Sequence, residues 1–457
     1  MALGSQGGLS TPNASEASQF VVKDFNFAVD KKSDSQLAAD GVTFTRASVA
    51  RYNDSSGNLV ERATGEPVYE YSGATSLGLR IEKGTTNTIR NTDCDTVSGS
   101  GWAVSGSSFT GTNITGPDNV SNSGKRFQGN TTSGVSYNVI WDAGILTDGG
   151  GAGAHRNGWS GSIYAKAGNA DFIGMSFSAG AKVGAAWDLS DGSLVNSSNC
   201  TASSEDVGGG WWRLKCENLA NIASTGVFAW TPSKTSALVW DDSGFGSWDN
   251  RQDYFERTGS FPFYTYVPNY VYVFGPQFEN SPYCTSYIPN ASDAEAGVAR
   301  AADVCSITGS DFSSFYNQTQ GTFAVEGSRA IAGSSALPTM LEVNLDGGTT
   351  DTMGFNASAT KEQFDVYDGS GAASVLAGND IAVNTAFKVS GAYKSGNYGT
   401  SLNGAAAVTN TLAAVPTVDQ LHFGSSEHSS RELNGFISRV RYWRRRVSDA
   451  FLKKIST

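Results

Sequence analysis

The sequence predicts an all-β protein, and three observations carry that prediction. Gly supplies 54 of the 457 residues, aromatics make up 11% and charged residues only 16%. This composition suits many short strands joined by turns and is poor in the Ala, Leu, Glu and Lys that long helices use. Short apolar runs recur along the chain between clusters of Gly, Asn and Ser. Within those runs apolar and polar residues alternate, as Phe364 and Val366 do against Asp365 and Tyr367, which is the period of a half-buried strand. A chain this long exceeds one ordinary core, so two domains are expected.

Residues 1–19 are polar, rich in Gly and Ser and without period, and read as a flexible arm or a segment that orders only on a partner. Residues 20–90 read as an extended β leader: FVVKDFNFAVD, GVTFTRASVARY, PVYEY and LGLRIEK, with NDSSGN at 53–58 as a turn. Between 91 and 303 runs such as GWSGSIYAKAG, DFIGMSFSA, GAAWDLSDGSLV, GGWWRLKCENLA and NYVYVFGPQFE indicate a two-sheet jelly roll. A second series from 304 to 457, including GTFAVEGS, TMLEVNLDG, QFDVYDGS and DQLHFGSS, indicates a second β-sandwich.

The closing stretch LNGFISRVRYWRRRVSDAFLKKI is strongly basic in a chain of net charge −11. With period 2, Phe436, Ser438, Val440 and Tyr442 fall on one side of a strand and Ile437, Arg439, Arg441 and Trp443 on the other, the pattern of an outer strand. Ser448 reads as the N-cap of a short helix that docks Phe451, Leu452 and Ile455, with Lys453 and Lys454 suited to the helix C-terminus. One narrow basic element without a stacking platform is a structural edge rather than a nucleic-acid grip. The acidic pI of about 4.8 argues the same way for the whole chain.

No stretch reaches 18 consecutive apolar residues, so no membrane span is expected. The N-terminal residues lack the basic start and apolar run of a secretory signal. Cys94, Cys200, Cys216, Cys284 and Cys305 fit no metal-ligand spacing and read as free thiols, with a Cys200–Cys216 pairing left open. His155, His422 and His428 are scattered. His422 lies in the strand-like QLHFG and reads as a satisfied strand histidine.

No catalytic constellation is legible, and the chain is expected not to be an enzyme. Asp188 with Asp191, Asp241 with Asp242, and Asp346 with Asp351 all sit in turn contexts that favour Asp for its own backbone hydrogen bonds. GGGAGAH at 149–155 lacks the strand, helix and Lys of a phosphate loop. The stretch that departs from the strand-turn rhythm is 240–270, WDDSGFGSWDNRQDYFERTGSFPFYTYVPNY, too long for an ordinary connection and too aromatic for disorder. Aromatic rings stack on sugar faces while carboxylates accept sugar hydroxyls. Trp240, Asp241, Asp242, Trp248, Asp249, Tyr254 and Phe255 are therefore the candidate ligand-binding residues. Burial of the same rings in an interface between subunits or domains is the rival reading, and Asp241, Asp242 and Asp249 also suit Ca²⁺. No other cofactor is expected.

The closing segment resembles the final strand and helix of laminin-G/concanavalin-like sandwiches found in tailed-bacteriophage virion proteins, and YGTSLNGAAAV resembles the Asn-Gly hairpin of that domain. GVTFTRASVARYNDSSGNLVERATGEPVYEY followed by LGLRIEKGTTNTIRNTD is similar to the leader of the same proteins. The succession from WSGSIYAKAGNADFIGMSF to YVYVFGPQFENSPYCTSYIPN and ARAAD resembles a carbohydrate-binding-module-like jelly roll. The resemblance implies a structural virion protein of tail-fibre or head-fibre type. It would be attached to other virion proteins through its N-terminal region, homotrimeric, and directed at host-surface glycan. A polysaccharide-degrading tailspike and a capsid decoration or cement protein are the alternatives. Neither nucleic acid nor membrane insertion is implied.

Overall fold

The computed structural model describes residues 21–94, 111–129, 158–177, 183–220, 270–291, 297–330, 338–347, 350–357, 362–369, 373–377, 381–411, 414–427 and 431–457, with short strands at 102–105, 107–109, 139–142, 238–239 and 256–257. The strand pairings are antiparallel, and the helices among the described residues are short: Asp34–Ala39, Gly309–Phe315 and Asp449–Ile455. No helix among them is long and apolar enough to cross a membrane.

The chain forms two compact units, one holding residues up to Phe44, Leu77–Ile81 and Val304–Thr457, the other Thr45–Ser76 and Glu82–Asp303. Residues 20–90, expected as one leader, are thus divided between the units. Strand pairing is the physical reason. Val21–Phe25 bonds along Gly435–Trp443, and Leu79, Arg80 and Ile81 pair with Ile437, Phe436 and Gly435. Asn87 in Thr85–Asn87, by contrast, pairs with both Glu279 and Val298.

The first unit is a β-sandwich. One sheet runs in the order Val408–Asn410, Tyr398–Leu402, Ala386–Lys394, Gln320–Arg329, Gly435–Trp443 and Thr75–Ile81; the other runs Thr43–Thr45, Val304–Thr308, Gln420–Phe423, Thr339–Asn344, Asp351–Ala357, Glu362–Asp368 and Ala373–Ala377. Period-2 alternation turns Phe323, Val325, Val389 and Val440 inward from one sheet and Leu341, Val343, Met353, Phe355, Phe364, Leu421 and Phe423 from the other, all buried. The two layers meet so closely at Gly391 that a Cβ there would lie 2.6 Å from the Phe355 ring. Asn403 and Gly404, both at positive φ (47° and 72°), make the tight turn that the Asn-Gly pair predicts.

Gly435–Trp443 departs from the expected faces. Ile437, Val440, Tyr442 and Trp443 are the buried members, while Phe436 is only half-buried. The ladder with Gln320–Arg329 shifts between Glu326 and Gly327, where Arg439 and then Ile437 are the partners. Ser438 is thus an inserted residue, and a bulge of one residue exchanges the faces on either side of it. Nor is this an outer strand, because it is bonded on both sides. Its arginines are held in ion pairs: Arg439 grips Asp24 at 2.8 and 2.5 Å, and Arg441 reaches Glu326 at 2.9 Å. The helix that follows matches expectation. Ser448 Oγ accepts from the Phe451 backbone N–H at 3.2 Å, and Leu452 and Ile455 are buried.

The second unit is a jelly-roll-like sandwich. Its larger sheet runs Thr201–Asp206, Trp211–Leu219, Trp159–Ala167, Tyr270–Glu279, Lys125–Gly129 and Ser107–Phe109, and its smaller one Phe172–Ser176, Gly184–Asp188 and Leu194–Ser198. Between them lies one apolar core in which Phe127, Ile163, Ala165, Leu214, Val271 and Val273 meet Ile173, Met175, Ala185 and Trp187. The NDSSGN segment is a turn as expected, with Asp54 Oδ1 accepting from the N–H groups of Ser56 and Asn58 at 2.8 and 3.0 Å.

Leu452 packs fully buried with Ala324, Ala392 and Trp443. Leu452→Ala is therefore expected to cost about 2–5 kcal/mol, read as a lowered urea midpoint with an unchanged slope; a loss within experimental error would show that the closing helix is not docked.

Candidate functional site

The predicted residues Trp240, Asp241, Asp242, Trp248, Asp249, Tyr254 and Phe255 all lie outside the described residues, as do His155 and His428. The structure does fix the base of that excursion: Leu238 pairs with Arg257 and Val239 with Glu256, so the chain enters and leaves 240–255 at adjacent points. Of the aspartates assigned to turns, Asp188 and Asp191 frame one and Asp346 lies in another, whereas Asp351 opens the strand Asp351–Ala357 and pairs with Asp368. Asp188 Oδ1 accepts from the Ser190 N–H at 2.8 Å, and Asp191 Oδ1 from the Ser193 N–H at 2.8 Å. None of the five cysteines forms a disulfide, and three of them are buried.

Described side chains of a different kind gather on the face of the larger sheet that points away from the jelly-roll core. Strand alternation sends Ile163, Ala165, Leu214, Val271 and Val273 into the core, so Ser162, Tyr164, Lys166, Arg213, Tyr270, Tyr272 and Phe274 share the opposite face. Between Ser162 and Tyr164 the ladder shifts, Ser162 facing Gln277 and Tyr164 facing Phe274. The extra residue falls at Gly275, whose φ of +56° suits a glycine bulge. This bulge restores Gln277 and Glu279 to the same outward face as Tyr272.

Half of this face is closed by residues 280–291 through a dense polar network. Arg213, 4% exposed, donates to the Thr285 carbonyl at 2.5 Å and to Ser162 Oγ at 3.3 Å. Glu279 accepts from Thr285 Oγ1 at 2.6 Å, Thr285 N–H at 3.0 Å and Gln277 Nε2 at 2.5 Å. Glu82 accepts from Ser286 and pairs with Arg300 at 3.0 Å; Arg300 also pairs with Asp303 at 2.7 Å, and Asp303 with Arg46 at 3.3 Å. These carboxylates are all spent on internal partners. Burial pushes the Glu279 carboxyl up to about 7 even though Thr285 and Gln277 pull it down.

The other half is half-exposed and carries an aromatic and cationic row. Lys166 faces Tyr272 across one ladder, and Tyr272 faces Arg126 across the next. The Arg126 guanidinium lies 3.7 Å from the Tyr270 ring centre, and Tyr270 meets Tyr272 edge to face at 5.6 Å. Lys166 Nζ donates to the Gly209 carbonyl at 2.5 Å. That carbonyl sits in the Gly208–Gly209–Gly210 turn, whose three positive φ values (85°, 61°, 79°) only glycines adopt without strain. Half-exposed rings beside fixed cations offer a stacking surface flanked by hydrogen-bond donors. Among the described residues no group of three or more His, Cys, Asp or Glu is arranged to hold a metal ion. The row was missed in the sequence, although its signal is there: the alternation of NYVYVFG places both tyrosines on one face.

The chain matches no protein-family model and no curated protein. Among solved structures it is similar to CBM40, the carbohydrate-binding module of the Ruminococcus gnavus IT-sialidase, bound to α2,3-sialyllactose, at 15% identity over 32% of this chain and 86% of that one, with a TM-score of 0.29. It is also similar to the NanB sialidase of Streptococcus pneumoniae (12% identity, 33% and 26% covered, TM-score 0.29) and to the leech intramolecular trans-sialidase (12%, 32% and 24%, TM-score 0.27).

The pH response of the closed half follows from Glu279. Its folded pKa lies above the ordinary carboxyl value, so the folded chain holds more protons than the unfolded chain between about pH 4.5 and 7, and stability falls as pH rises through that window. Wild type should lose about 1–3 kcal/mol from this group between pH 5 and 8. In Glu279→Gln that part of the slope should vanish, whatever the variant's absolute stability, and urea titrations at the two pH values measure it. An unchanged slope would mean that Glu279 is ionised throughout.

Proposed function

We propose that this chain is a non-catalytic glycan-binding protein of a bacteriophage particle, of tail-fibre or head-fibre type. The observation that carries the binding role is the half-exposed row of Arg126, Tyr270, Tyr272 and Lys166. It combines ring faces and edges for a sugar's C–H surface with fixed donors for its hydroxyl or carboxylate oxygens. The excursion at 240–255, aromatic and acidic in sequence, extends the same function. The virion assignment rests on the succession of leader, jelly-roll and closing-strand phrases in the sequence. In that reading the N-terminal region joins the chain to other virion proteins, a homotrimer presents several binding faces at once, and avidity compensates for weak single sites.

A glycan array with the full chain tests the binding role. Tyr272→Ala should weaken retention of any bound glycan about tenfold while leaving the folded circular-dichroism spectrum intact. Equal retention by wild type and variant would remove the row from the site. Release of reducing sugar from a bound polysaccharide would replace an adhesin with a hydrolase. Immunolabelling of intact particles reads the location directly, and unlabelled particles would sink the virion assignment.

A further inference from the structure

The outward face of the second sheet in the first unit carries a polar row across four strands. His422 pairs with Glu342, Glu342 with Gly354, and Gly354 with Asp365. Residues paired directly across a ladder share a face. The two carboxyls therefore stand on either side of a position with no side chain, two strand spacings or about 10 Å apart at their Cα atoms. Asn344 lies two residues along from Glu342 on this face, and Tyr367 two residues along from Asp365.

The row is unusual in what it leaves unmet. His422 is 7% exposed, Glu342 3%, Asp365 4% and Asn344 fully buried. Yet both ring nitrogens of His422, Glu342 Oε1, Asp365 Oδ1 and Asn344 Oδ1 meet no hydrogen-bond partner among the described residues. Leaving a buried polar atom unmet is costly, and a run of them on one face marks a place where something else supplies the bonds. The remaining atoms are well anchored. Asp365 Oδ2 accepts from Asn356 at 3.0 Å, and Asn344 Nδ2 donates to Glu427 at 2.5 Å. Glu427 also takes the Gly347 N–H at 2.9 Å and Gln420 at 3.1 Å. The unmet atoms thus stand on fixed side chains. Tyr367, 36% exposed, marks the solvent end of the row.

The chemistry of the row selects its ligand. Burial raises the carboxyls of Glu342, to about 7, and Asp365 and lowers His422; Arg431 already acts on both carboxyls, and Glu427 and Asp346 on His422. A further full charge is thus poorly matched. What fits is a neutral group that both donates and accepts, with an apolar surface for the tyrosine ring.

We propose that this face is a second saccharide site, in which Glu342, Asn344, Asp365 and His422 bond the hydroxyls of a neutral sugar unit and Tyr367 stacks beside it. It stands apart from the Arg126–Tyr272 row in both residues and charge, and does not depend on that row binding anything.

Saturation-transfer NMR on the full chain, with lactose, maltotriose and diacetylchitobiose as probes, tests it. At least one probe should receive saturation from wild type. Tyr367→Ala, at an exposed position, and the isosteric Asp365→Asn should each weaken that probe about tenfold. Three outcomes overturn the proposal: no probe binds; binding survives both substitutions; or a crystal soaked in the probe shows only ordered water on these atoms. Binding lost in Tyr272→Ala but kept in Tyr367→Ala also overturns it, while leaving the first row standing.

Discussion

A strand has two faces, and one inserted residue exchanges them. Much of this molecule follows from that constraint. Ser438 adds a residue to the strand Gly435–Trp443, so that Ile437, rather than Phe436, joins Val440 and Tyr442 in the core. Gly275 does the same in Tyr270–Glu279. Without it Tyr272, facing Lys166, and Glu279, facing Ser160, would fall on opposite sides of the sheet. With it, one face carries a half-exposed aromatic row at one end and a closed polar network at the other. The bulge decides which side chains solvent can reach.

The closed network has a second role. Arg46, Glu82, Arg300 and Asp303 are nearly fully buried, and all four stand near positions where the chain passes into or out of the second unit. Taking four charges out of water is costly, and such clusters add little net stability over apolar packing. Removing one member, however, strands its partners, so the cluster penalises any arrangement that fails to gather these segments.

The sequence displayed the strands because period-2 alternation is a local property, and it displayed the turns because Asn403–Gly404 and Asp54 act on their immediate neighbours. Ser448 was readable as a cap for the same reason. The helix Asp34–Ala39 was readable too, since Ser33 and Gln36 form a capping box in which each side chain bonds the other's backbone. The alternation on either side of it is the stronger local pattern, so residues 20–90 read as extended throughout. Bulges escaped notice because a single extra residue hardly disturbs the pattern within a short window. His422, read as a satisfied strand histidine, sits on a strand but with both ring nitrogens unmet among the described residues; its partners across the ladder, Ser306 and Glu342, come from distant segments. Glu279 and Glu342 were unremarkable for the same reason, because a carboxyl's environment is assembled by tertiary packing.

Val21 lies opposite Trp443 in the finished ladder, and Asp24 waits for Arg439. A growing polypeptide therefore emerges from the ribosome with the edge of Val21–Phe25 open and must keep it so until Gly435–Trp443 has been made. Loop closure over that span is slow compared with local pairing. The first unit consequently reaches its final form only after Gly435–Trp443 has left the ribosome, whereas most of the ladders of the second unit, such as Trp159–Ala167 on Trp211–Leu219, can form earlier in synthesis.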